Sequence, residues 1–212
     1  MSTQPTSPHH DDAPRTPTRP RRGWRTVDIV TAAVLGVVTG FIFVAWNIVG
    51  GNLYEVFNAL TPGLGGLPLG VWLLGGIFGG LIIRKPGAAI FVELIAAIVS
   101  MLIGNQWGVE TIYSGLAQGI GAEIIFALFA YRRFSLPVAM LSGMGAAAGA
   151  WILEFFLGNI AKSWDYNLIY LLCTQVSGIV LAGLLGWVVV RLLASTGALD
   201  RFAVGRERRT LI

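Results

Sequence analysis

The chain has 212 residues, of which 55% are hydrophobic and only 12% charged, with a mean hydropathy of +0.71 and a formal net charge of +4. A soluble domain of this length carries about twice that share of charge, so the composition excludes an ordinary water-soluble fold and describes an integral membrane protein. The cations are read as topology signals at the ends of spans rather than as a nucleic-acid surface, and the lone Cys173 excludes an intrachain disulfide.

Residues 1–24, rich in Pro, Ser and Thr, are expected to form a disordered cytoplasmic tail. His9 and His10 fall in it and are read as incidental rather than as metal ligands. The first span is expected at about 27–49, with Ala32, Gly36 and Gly40 forming a small-residue stripe suited to an external helical partner. A Gly- and Pro-rich loop from Gly50 to Gly66 follows, long enough to cover a neighbouring feature. Further spans are expected at about 67–83, 86–104, 111–131, 136–157 and 166–193. Pro86 suits a first helical turn, and Gly104-Asn105 suits a stop. The fold class is therefore an all-α bundle of six transmembrane helices over 25–197, ending in a basic cytoplasmic tail at 198–212. Six spans put Arg25, Arg84, Lys85, Arg132, Arg133, Arg191 and the C-terminal arginines on one side, with Lys162 alone opposite, so both termini are cytoplasmic.

Within these spans a few polar groups need partners. Glu93, Glu123 and Glu154 are intramembrane carboxylates, and no Lys or Arg shares their spans. Each must be protonated, hydrogen-bonded, or paired with a cation from outside. At about 1.5 Å per residue Glu93 lies about 16 Å, and Glu123 about 20 Å, inside the outer ends of their helices. Both either reach a ligand from below or fasten helices together. Glu154 is nearer the exterior. The last span carries Asn167, Tyr170, Thr174 and Ser177 on one stripe with Gln175 beside it. With Trp46, Tyr113, Trp151, Trp164 and Tyr170 near the outer ends, these groups describe a pocket for a small, flat, cationic ligand. No nucleotide-binding loop, zinc-protease motif or paired-cysteine site is present, so the chain is not expected to be an enzyme.

Several segments resemble the YkoE family in the same order. They are Ile83 to Ala89 through Glu93, Gly104-Asn105, Gln118 to Glu123, Ser135-Leu136-Pro137 with Gly143-Met144-Gly145, Ser177-Gly178, and Leu181 to Gly186. That family comprises substrate-binding S components of energy-coupling-factor (ECF) transporters associated with thiamin or hydroxymethylpyrimidine, and the resemblance covers roughly Arg25 to Gly197. It implies a vitamin-capturing subunit of a bacterial plasma-membrane importer, partnered by a T component and two ATPases, with no cofactor or metal of its own. It also implies that Gly50 to Gly66 caps the pocket and that Ala32, Gly36 and Gly40 contact the T component. The ligand-binding candidates are Trp46, Asn47, Glu93, Asn105, Tyr113, Gln118, Glu123, Trp151, Glu154, Tyr170 and Gln175. The competing reading is a solitary cation- or proton-coupled carrier that titrates Glu93 and Glu123.

Overall fold

A computed structural model describes residues 23–209, all helices and turns without a strand among them. Most of the expected N-terminal tail, including His9 and His10, and the last residues of the C-terminal one lie outside the described residues. Among the described residues four helices are long and apolar enough to cross a membrane: α1 (Thr26–Leu60), α4 (Glu110–Leu128), α5 (Leu136–Leu157) and α6 (Trp164–Ser195). Two shorter apolar helices, α2 (Leu74–Ile83) and α3 (Ala88–Ile103), complete the bundle, and α7 (Ala203–Arg209) follows α6.

α1 starts where Asp28 accepts from the Arg25 backbone N–H at 2.8 Å and from its guanidinium at 2.8 Å, closing the first turn. It then runs for 35 residues, about 52 Å. The expected loop from Gly50 is thus corrected to helix as far as Leu60. The Gly-Gly pair costs helix propensity, but Gly50 and Gly51 are both buried, and the indole of Trp46 lies where a Cβ on Gly50 would project. Only residues 61–73 turn back. Asn58 Oδ1 accepts from Gly63 N at 3.0 Å and Gly65 N at 3.3 Å, and Gly63 takes φ +101°, a left-handed conformation that a side chain would strain.

The expected second span is not one α-helix. Pro68 precedes a 3-10 helix, Leu69–Leu73, which then passes into α2. All ten residues of α2 are buried, as suits a helix apolar on every side at the centre of a bundle. Its glycines allow that position: Gly75 abuts Glu93, Gly79 the Ala88 carbonyl, and Gly80 the Phe126 ring. The last span is also interrupted. α6 is α-helical over Trp164–Ser177, π-helical over Gly178–Leu184 and α-helical again over Leu185–Ser195. At the π segment Gly178 meets the Gly143 backbone of α5, so two helices touch main chain to main chain.

The stripe Ala32, Gly36 and Gly40, expected to face an external partner, is buried against α3 instead. A Cβ on Gly36 would sit 2.6 Å from Ile95 Cβ, and one on Gly40 2.6 Å from Val99 Cβ. The stripe is an internal seam because only hydrogen at Gly36 and Gly40 lets the two backbones approach. The opposite face of α1, with Val30, Val34, Val38 and Phe41, is the exposed one. Past residue 197, Leu199, Phe202 and Val204 are buried against the bundle.

Candidate functional site

A cavity of about 290 Å³ opens at the end of the bundle opposite the Arg84-Lys85 turn, between α1, α3, α4, α5 and α6. Its inner part is polar. Glu93, wholly buried, accepts from the Gly76 backbone N–H at 2.6 Å. With its amide turned to satisfy both ends, Gln118 donates to Glu93 Oε1 at 3.2 Å and to the Trp72 carbonyl at 3.1 Å, and accepts from Ser114 Oγ at 2.7 Å. The buried carboxyl is thereby hydrogen-bonded on both oxygens, which offsets much of the cost of removing it from water. The glycines of α2 explain the backbone contact: no side chain stands between the α2 main chain and Glu93.

One wall is aromatic and amide. Trp72 donates its indole N–H to Asn47 Oδ1 at 2.8 Å, and Asn47 Nδ2 donates to Ser100 Oγ at 3.0 Å. The Trp72 ring meets Trp107 edge-on at 5.4 Å and Trp46 at 6.5 Å. The other wall carries Glu154, whose Oε2 accepts from the Tyr170 hydroxyl at 2.5 Å. Its Oε1 has no hydrogen-bond donor among the described residues. Tyr170 in turn stacks on Tyr166 at 5.7 Å and meets Tyr54 edge-on at 6.4 Å, and Lys162 Nζ lies 4.1 Å from the Tyr166 ring centre. The helical extension of α1 that replaces the expected loop supplies Tyr54.

Of the residues expected at a ligand, Asn47, Glu93, Gln118, Glu154 and Tyr170 line this cavity together. Six do not. Trp46 stands behind Trp72 and donates to the Pro68 carbonyl at 3.0 Å. Asn105 is spent on the α3–α4 turn, accepting from Trp107 N, Gly108 N and Thr111 Oγ1 at 2.8–3.1 Å. Tyr113 is 55% exposed on the outside of α4. Trp151 donates to the Asn167 carbonyl at 3.2 Å and stacks on Phe155. Gln175, with its amide turned, bridges to Met144 O and Ala148 N of α5.

Glu123 is the sixth, and its carboxylate caps another helix. It accepts from Gly87 N at 2.7 Å, Ala89 N at 2.9 Å and Ile90 N at 3.4 Å at the start of α3, and from the Tyr131 hydroxyl at 2.7 Å. These are the N–H groups a helix start leaves unpaired, and a carboxylate there also complements the helix dipole.

Sequence reasoning did not single out Trp72, Ser114 or Asn159, all of which line the cavity. Trp72 had a usable signal, being the one aromatic with an N–H donor in the otherwise aliphatic and glycine-rich stretch before Phe78. Asp28 is a further surprise: wholly buried, it accepts from both Arg25 and Lys85, so the Arg84-Lys85 turn is tied to the start of α1.

Three comparisons bear on this arrangement. The profile of the family described as ABC-type cobalt transport system, permease component, matches residues 27–149. YkoE of Bacillus subtilis (strain 168), named as a candidate HMP/thiamine permease protein, is 37% identical over 188 residues, covering 88% of this chain and 92% of that protein. A crystal structure of an S component of an ECF transporter superposes with a TM-score of 0.75 at 35% identity, over 89% of this chain and 94% of that one. The chain therefore belongs to the YkoE family and has the fold of an S component of an ECF transporter.

Proposed function

We propose that the protein is the substrate-capture subunit of an ECF importer in the bacterial plasma membrane, taking hydroxymethylpyrimidine or thiamin into the cavity above Glu93 and passing it on with a T component and two ATPases. The observation that carries this reading is the pairing of Glu93–Gln118 with Glu154–Tyr170 across one aromatic-walled space. An aminopyrimidine is flat, presents an amine donor beside ring-nitrogen acceptors, and stacks; an acid, an amide and indole faces are its chemical complement. A thiazolium, where present, is met by carboxylate and aromatic faces. The free Oε1 of Glu154 is the group assigned to orient it, above a floor held rigid by the Glu93–Gln118 pair.

The reading includes six spans with both termini cytoplasmic. It is supported by the Asp28–Lys85 pair at the start of α1 and by Val204, beyond α6, lining a cavity with Arg84, so that both ends of the described chain lie at the end of the bundle bearing the basic turns. The engagement of Glu123 at the α3 terminus supports the importer reading over a solitary carrier that would use this carboxylate. Calorimetry of the purified protein with thiamin, hydroxymethylpyrimidine and riboflavin tests the assignment. Saturable binding of a pyrimidine compound and not of riboflavin is expected; binding of neither pyrimidine compound refutes it.

A further inference from the structure

Trp72 and Trp107 form a corner of the Glu93 cavity. Both line it, their ring centres lie 5.4 Å apart, and their planes stand at 83° to one another. A flat ligand ring can lie along one of two perpendicular faces and can offer only its edge to the other. Which face it takes depends on which ring is already held. Trp72 is held at two points. It stands in the 3-10 helix Leu69–Leu73, where its carbonyl accepts from the turned Gln118 amide at 3.1 Å. Its indole N–H donates to Asn47 Oδ1 at 2.8 Å. An indole N–H can only donate, so this bond fixes which end of the Asn47 amide is oxygen and leaves Nδ2 to donate to Ser100 Oγ at 3.0 Å.

Ser100, buried in α3, also accepts from Asn105 Nδ2 at 3.4 Å, and Asn105 Oδ1 accepts from Trp107 N at 3.0 Å. One relay of side chains thus runs from α1 through α3 to the α3–α4 turn and sets the corner. Trp107 is 37% exposed on that turn, whereas Trp72 is half-buried and is met from behind by the edge-on ring of Trp46. A ring whose plane is set before the ligand arrives loses little rotamer freedom on binding. Trp72 meets that condition. Both ends of the Asn47 amide are engaged within the protein, so Asn47 acts on a ligand through the indole it holds. On the capture reading proposed above, we infer that Trp72 is the platform on which the aromatic ring of the ligand lies, and that Asn47 is a positioning residue fixing the plane of that platform. The aminopyrimidine is the ring laid on it.

The test uses the full chain purified in neutral detergent, titrated with thiamin and hydroxymethylpyrimidine by calorimetry and followed in the indole N–H region of a proton–nitrogen correlation spectrum. Trp72→Phe identifies the Trp72 indole resonance by its loss. Asn47→Leu is expected to move that resonance upfield while the other indole resonances stay in place, and to lower affinity about fivefold or more. In a Trp72→Phe background, which keeps a ring face but has no N–H for Asn47 to hold, the same Asn47→Leu change is expected to cost less than about twofold. Trp72→Leu removes the face and is expected to lose about tenfold or more. Trp187→Phe, which lines the cavity at the other end of the bundle, should bind as the wild type does. If either Leu variant does not fold, the other decides. Affinity within about twofold of wild type in folded Trp72→Leu, or an equal Asn47→Leu loss in both backgrounds, overturns the inference and leaves the capture reading standing. Binding of neither compound by the wild type removes the capture reading and the inference with it.

Discussion

Glu123 and Glu154 are the same residue type in similar apolar surroundings, yet they do different work because of what lies across from them. Glu123 faces the open N-terminus of α3 and is consumed there. Replacing it with Ala strands buried backbone donors, and a loss of about 2–4 kcal/mol in stability is expected, read as a lower melting temperature in detergent. Ligand affinity, measured well below that temperature, should change little. Glu154 has one oxygen held by Tyr170 and one without a donor. Glu154→Gln keeps the shape and removes the charge, so a tenfold or greater loss of affinity for the pyrimidine ligand is expected by calorimetry, about 1.5–3 kcal/mol. That three carboxylates needed partners was legible in the sequence. Which partner each found was not, since the answer depends on the rotation of neighbouring helices, and Glu123 turned toward a helix end that no periodicity indicates.

At the scale of elements, the apolar segments were legible from composition, and the stripe Asn167, Tyr170, Thr174 and Ser177 faces inward as its spacing indicates. The breaks within them were less so. The 3-10 start of the second segment follows from Pro68 and its flanking glycines, and Ser177 pins it: its Oγ accepts from Gly70 N at 2.8 Å and donates to the Leu67 carbonyl at 2.5 Å. Length alone hid the continuation of α1 to Leu60, because Gly50 and Gly51 read as a stop and are in fact buried helix. The stripe on α1 was visible as a stripe, but its direction was not. Because Gly36 packs on Ile95 and the Val92 carbonyl, Gly36→Leu is expected to cost about 1–3 kcal/mol of fold stability. The check is a melting curve of the isolated chain without partners, and an unchanged curve would mean that this seam is not packed as described.

For the whole molecule, two cavities sit at opposite ends of one bundle, one acidic and aromatic, the other basic. This polarity fits a subunit that takes a ligand from one side of a membrane and keeps its cationic end on the other. Reporter fusions at the N- and C-termini should both report the cytoplasmic side, and opposite reports would contradict the proposed topology. The central claim is that the ligand occupies the cavity bounded by Glu93, Gln118, Glu154 and Tyr170. Leu153 lines that space without a polar role, so Leu153→Trp fills it while sparing the hydrogen bonds. Calorimetric titration of wild type and Leu153→Trp with hydroxymethylpyrimidine and thiamin is the most direct measurement. The account predicts saturable binding by the wild type that falls at least tenfold in a folded Leu153→Trp protein; undiminished binding in that variant would contradict it.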